Sequence, residues 1–195
     1  KAIYFITGEG ENTLRNSPLL EAYRTRDIEV LIADDDIDEV VVPTIGTYQE
    51  TELKSVNRSD AGEDLQAEKD EQKEQDMGPV IEKIKTALGD RVKDVKVSVR
   101  LSDSPSCIVV DENDPTMKMQ QLLKAMGQPD TTEVKPILEV NPDHELVKRL
   151  KGTDDESYVE DMSVLLLDQA LLVENVPIKE PAEFVKRMNR VLERA

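Results

Sequence analysis

Asp161-Met162-Ser163-Val164-Leu165-Leu166-Leu167-Asp168-Gln169-Ala170-Leu171-Leu172-Val173 is a nearly continuous apolar stretch. After a short connection it is followed by Pro181-Ala182-Glu183-Phe184-Val185-Lys186-Arg187-Met188-Asn189-Arg190-Val191-Leu192. The first stretch reads as a helix that places Tyr158, Met162, Leu165 and Leu166 at helical spacing and then turns apolar on most sides. A helix apolar nearly all round is buried nearly all round. The second opens on Pro181, a residue suited to a first helical turn, and spaces Phe184, Val185, Met188, Val191 and Leu192 as a one-sided stripe. A hairpin with this much apolar surface needs a cover, either the rest of its own domain or a second copy of the chain. The expectation adopted is the second copy. Helices at about 155–174 and 181–194 would pair across a symmetric interface formed by Tyr158, Met162, Leu165, Leu166, Ala170, Leu171, Phe184, Val185, Met188, Val191 and Leu192.

Upstream of the hairpin the pattern is α+β. Pro79–Leu88 reads as a helix closed by Gly89. Val95, Val97, Val99 and Leu101 alternate with polar residues, as in a half-buried strand. Ser106–Val110 and Pro136–Val140 read as further strands. Met117–Met126 reads as a helix stopped by Gly127, and Asn141-Pro142-Asp143 opens a short helix carrying Leu146, Val147 and Leu150. Residues 59–76 hold eight acids and two lysines with almost no large apolar side chain, which predicts a linker or a solvated helix start between two units. Before it, strands at Ile3–Ile6, Ile28–Ile32 and Leu53–Val56 alternate with helices after Ser17-Pro18 and over Ile37–Ile45, where Pro43 interrupts or ends the helix. Such alternation predicts a parallel sheet with helices packed on it. The expected architecture is therefore α/β and α+β: a small three-layer αβα unit over 1–58, an acidic linker over 59–76, and a mixed α+β domain over 77–195 ending in a dimerising helical hairpin.

The net charge is −17, which repels phosphate backbones and anionic membranes, so nucleic acid and membrane are not expected partners. No run of about 18 apolar residues is present to cross a bilayer. One cysteine cannot close an internal disulfide, in keeping with a reducing, cytoplasmic setting. The chain opens Lys1-Ala2-Ile3-Tyr4-Phe5-Ile6 without an initiator Met, which suggests a piece of a longer protein.

Several residues imitate chemistry without completing it. Gly8-Glu9-Gly10 after a strand resembles the start of a dinucleotide fingerprint, but the third glycine falls at Thr13, and Glu9 and Glu11 would repel a pyrophosphate. Asp34-Asp35-Asp36-Ile37-Asp38-Glu39 lacks the Gly and closing Glu of a calcium loop, and reads better as an acidic helix start. His144 and Cys107 form no triad or zinc set. His144 is expected in the first turn of its helix and Cys107 as an inert thiol in an apolar strand. No catalytic, cofactor or metal residue is expected in this chain. In the 116–126 helix, Met119, Leu122, Leu123 and Met126 share one face with Met117 at its edge, and periodicity alone favours core burial.

Asn141-Pro142-Asp143-His144, Leu146-Val147, Leu166-Leu167-Asp168-Gln169-Ala170-Leu171-Leu172, Asp90-Arg91-Val92-Lys93-Asp94-Val95, Arg100-Leu101 and the opening Ile3-Tyr4-Phe5-Ile6-Thr7-Gly8 together resemble the ninety-kilodalton heat-shock chaperones (Hsp90), in particular their bacterial, HtpG-type branch. The resemblance covers the end of the family's middle domain and its C-terminal dimerisation domain. It implies an ATP-dependent parent chaperone whose ATP and Mg²⁺ site and catalytic Arg lie outside this chain. It also implies a homodimer and partly folded client proteins as partners, with Met117, Met119, Leu122, Leu123 and Met126 exposed for client contact. Eukaryotic cytosolic members end in an acidic tail that docks tetratricopeptide co-chaperones. This chain ends Glu193-Arg194-Ala195, so no such partner is expected.

Overall fold

The computed structural model describes residues 2–65, 71–127 and 134–194. Two mixed sheets organise them. In the first, β1 (Ile3–Thr7) runs parallel to β2 (Val30–Ala33) and to β4 (Thr51–Ser55), and a short β3 (Thr47–Tyr48) pairs antiparallel with β4, in the order β2-β1-β4-β3. Helices α1 (Glu11–Arg15), α2 (Glu21–Thr25) and α3 (Asp38–Ile45) make the crossovers. The expected Ser17-Pro18 start is a 3-10 turn in which the Ser17 hydroxyl accepts the Leu19 N–H at 3.2 Å. Pro43 lies inside α3, which runs two residues past it. The β3–β4 turn was invisible in the sequence. Its central residues are Gln49 and Glu50, both at positive φ (47° and 66°), the backbone of a turn that normally selects Asn-Gly.

After β4 come α4 (Asp60–Glu63) and α5 (Glu71–Leu88). The described ends of the acidic stretch are thus helical, and its residues 66–70 lie outside the described residues. Ala61 and Leu65 are buried. The 79–88 helix begins eight residues earlier than expected and carries Pro79 internally, with Met77 and Val80 buried on either side of it.

The second sheet has the order β5-β7-β6, with β5 (Asp94–Val97) parallel and β6 (Ser106–Val109) antiparallel to the central β7 (Ile137–Val140). The strand expected through Leu101 ends at Val97. The cause is Arg100, which is fully buried. It bonds Glu139 through Nε at 3.0 Å and the Val56 carbonyl through Nη1 at 2.8 Å. Reaching both pulls the backbone off the sheet, so Val99 and Leu101 pack against the first unit.

Between β6 and β7 lies α6 (Met117–Ala125), and α7 (Glu145–Lys151), α8 (Glu156–Val173) and α9 (Pro181–Leu192) complete the chain. One apolar core gathers α5, the second sheet, α7 and α8. The other joins the first unit to Leu65, Cys107, Val109 and Ile137. Polar ties cross the same seam: Glu21 Oε2 accepts the Ser102 and Asp103 N–H groups at 2.6 and 2.9 Å, and the Tyr23 hydroxyl donates to the Ala61 carbonyl at 3.1 Å. No helix among the described residues is long and apolar enough to cross a membrane.

Candidate functional site: the exposed faces of α6 and of the α8–α9 hairpin

Helix α6 begins where Thr116 accepts the Met119 N–H on its hydroxyl oxygen at 3.0 Å, an N-cap. The same hydroxyl donates to Glu39 Oε2 of α3 at 2.6 Å, and Glu39 is 3% exposed. One turn on, Gln120 is 4% exposed. The inward positions of α6 are therefore polar. Met117, Met119, Leu122 and Leu123 are only half-buried, and Met126 is 74% exposed beside Gly127, whose φ of 76° ends the helix. Periodicity favours the core for this apolar stripe; in the structure Met119, Leu122 and Leu123 are half-buried, Met117 packs on the core edge and Met126 alone of the five is exposed. Lys118 Nζ reaches Asp36 at 3.0 Å and Glu9 at 3.5 Å, and the bond from Asp36 raises its pKa. On α3, beside α6, Ile37, Val40, Val41 and Ile45 are also exposed. Sequence reading assigned them no role, although Val40-Val41-Val42 on a short Pro-containing helix was a usable signal.

The hairpin set divides. Tyr158, Met162, Leu166 and Ala170, expected at an interface between copies, belong to the chain's own core. Their cover is α5, α7 and β6, an arrangement the helix's all-round apolarity could not specify. Leu165 and Leu171 are half-buried, as are Phe184 and Val191, and Val191 packs on the core edge. Val185, Met188 and Leu192 face outward, together with Leu172 and Val173 at the end of α8. Asp161, 4% exposed, holds α9 in place. Arg190 donates to it through Nε and Nη2, both at 2.7 Å, and Arg187 Nη1 adds a bond at 3.1 Å. A bidentate Arg–carboxylate pair fixes orientation as well as distance. The Arg190 bond holds the Asp161 carboxyl below the usual range. No signal in the apolar pattern points to this clasp.

The other candidates fall into structural places. His144 caps α7, its Nδ1 accepting the Leu146 N–H at 3.2 Å, one position earlier than expected. Cys107 is buried, and burial pushes its thiol well above its ordinary value. Gly10, at φ 82°, precedes α1. Glu174, at the end of α8, accepts a bond from Asn57 Nδ2 at 3.4 Å, and burial pushes its carboxyl up to about 7.

The profile described as Hsp90 protein matches residues 1–195. Among curated relatives, the Chaperone protein HtpG of Treponema denticola is 56% identical over 196 residues, covering 98% of this chain. The protein of the same name from Treponema pallidum is 47% identical and that from Aliarcobacter butzleri 48% identical, each over the whole of this chain. The chain spans 31% of the length of each of these relatives. With the profile running end to end and identities of this size across both sheets, the chain belongs to the Hsp90 family.

Proposed function

We propose that this chain is the self-association and client-contact portion of an ATP-dependent molecular chaperone. The observation that carries the reading is α6. Its inward positions are Thr116 and Gln120, while Met119, Leu122, Leu123 and Met126 stay partly or largely in water. An apolar stripe left half-buried in a folded protein is kept there at a cost, and flexible, polarisable methionine suits a surface that must fit many partners. The exposed Val40, Val41 and Ile45 of the neighbouring α3 would add apolar surface for partly folded chains.

Self-association in this proposal uses Val185, Met188, Leu192, Leu172 and Val173, with Phe184, Val191, Leu165 and Leu171 at the edge. The division into 1–58, 59–76 and 77–195, a cytoplasmic location, and an ATP and Mg²⁺ site elsewhere in the parent belong to the same reading. Joining two copies at this end would raise the effective concentration at which distant domains meet.

Two measurements test it. Sedimentation equilibrium of the chain and of a Val185→Asp/Leu192→Asp double variant should show a dimer that becomes a monomer. A native chain that is already monomeric would favour the second reading, in which the hairpin serves its own domain only. The burial of most of α8 in that domain supports this second reading. For client contact, Met119→Glu and Leu122→Glu should keep the melting temperature and lose the ability to hold an unfolded model protein. Collapse of the fold would return the stripe to a core role.

A further inference from the structure

A cavity of about 30 Å³ lies under the start of α6, where β1, α3 and β6 meet the end of α8. Thr7, Glu39, Asn57, Lys118, Gln121 and Glu174 contribute to its wall. Two polar atoms among these residues have no hydrogen-bond partner: Thr7 Oγ1 and Glu39 Oε1. Thr7 is 2% exposed and Glu39 is 3% exposed. A second carboxyl group, that of Glu174, shares this wall and accepts a bond from Asn57 Nδ2 at 3.4 Å.

Buried charges are normally paired or hold an ion. Glu39 spends Oε2 on the Thr116 hydroxyl, a neutral donor. Among the described residues the one basic side chain in the wall, Lys118, is engaged by Asp36 and Glu9. The start of α3, where Glu39 sits in the first turn, supplies about half a compensating charge. Asn57 is committed: its Oδ1 accepts the Thr7 N–H at 3.1 Å and its Nδ2 donates to Glu174. The cavity is larger than the roughly 15 Å³ that one water requires. Among the described residues no three His, Cys, Asp or Glu side chains converge as a metal set. The donors available are one or two carboxylates and a hydroxyl. That set is too weakly charged for Ca²⁺, which takes about six to eight oxygens, and it suits a singly charged ion.

We propose that this cavity is a binding site for a monovalent alkali cation, with Glu39 as its charged ligand, Thr7 as a neutral one and Glu174 as the second carboxylate. The site does not rest on the chaperone reading. Because Glu39 also anchors the N-cap of α6, an ion held there ties β1, α3 and α8 together beneath the α6 surface.

The test is the melting temperature of the 195-residue chain in KCl, NaCl and choline chloride at equal ionic strength. Choline screens the acidic surface equally but is too bulky to enter. A site half-filled at about 10 mM raises the folded-to-unfolded ratio about elevenfold at about 100 mM, which for a chain of this size shifts the melting temperature by about 3–5 °C. Glu39→Gln keeps an oxygen for Thr116 and offers an amide N–H to Thr7. This variant should melt at one temperature in all three salts, and above the native chain in choline chloride. A native chain that melts identically in the three salts overturns the proposal and leaves water or a proton in the cavity. A salt difference that persists in Glu39→Gln also overturns it, by placing the ion elsewhere. Should Glu39→Gln fail to fold, a thallous-ion NMR titration decides. The native chain should broaden the thallium line and Thr7→Val should reduce that broadening, whereas an unbroadened line with the native chain overturns the proposal.

Discussion

Replacing Arg100 by alanine should be the most damaging single change in the seam between the two sheets. The guanidinium is fully buried. It meets Glu139 at 3.0 Å and the Val56 carbonyl at 2.8 Å, with weaker bonds to the Arg58 and Ser59 carbonyls at 3.3 and 3.4 Å. Removing it leaves the Glu139 carboxylate, whose side chain is 7% exposed, without its countercharge. Breaking a buried pair from one side costs about 3–5 kcal/mol, against a total stability of about 5–15 kcal/mol for a domain. Part of the carboxylate's need is still met by the Ser98 hydroxyl at 2.8 Å, which places the expectation near the lower end, about 3 kcal/mol. The assay is urea unfolding followed by circular dichroism and by tyrosine fluorescence, since Tyr23 packs in the same cluster. A cycle adding Glu139→Gln separates the pair from packing. The double variant Arg100→Ala/Glu139→Gln should recover at least about 1 kcal/mol relative to the sum of the single changes. A loss below about 0.5 kcal/mol for Arg100→Ala, the range of ordinary surface substitutions, would refute the reasoning that Arg100 is the electrostatic anchor of the seam.

Other expectations follow from the same structure. Met126→Glu should change stability by less than about 0.5 kcal/mol, because a side chain this exposed loses almost no burial, while lowering capture of an unfolded protein in a light-scattering assay. Glu174 has its folded pKa raised to about 7 from 4.5, so the folded state holds a proton that the unfolded state releases between those values. Stability should therefore fall as pH rises from about 4.5 to about 7, with a slope of up to about 1.4 kcal/mol per pH unit, and Glu174→Gln should flatten that part of the curve. Asp161 behaves oppositely: its pKa is lowered by Arg190, so its contribution is present above the ordinary carboxylate pKa and lost as pH falls through the lowered one. Arg190→Ala should loosen α9, raising amide exchange over residues 181–192 while leaving α8 protected.

The sequence made the hairpin, the short strands and the Ser17 cap legible, for a common reason. Ser17 and the alternating valines act within a few residues of themselves. Arg100 was hidden because a single arginine in an alternating stretch reads as the wet face of a strand. Only Glu139, thirty-nine residues away, makes it a core residue. The same holds for the α6 stripe. Its spacing defines one apolar face but carries no information on which way that face points. In the structure Thr116 and Gln120 take the buried positions instead, and the α3 carboxylate that Thr116 binds lies seventy-seven residues earlier.

What the sequence determined by itself is local and compositional. It determined that helices and strands alternate in the first unit and where the terminal hairpin lies, that the chain is strongly acidic, and, through several motifs in order, the Hsp90 family. What only the tertiary structure decided is which apolar residues are spent internally. It placed Tyr158, Met162, Leu166 and Ala170 in the core of one chain and left Val185, Met188 and Leu192 in water. Hydrophobic periodicity says that a face must be covered. Which surface covers it depends on contacts between residues far apart in sequence, and those exist only once the chain has folded.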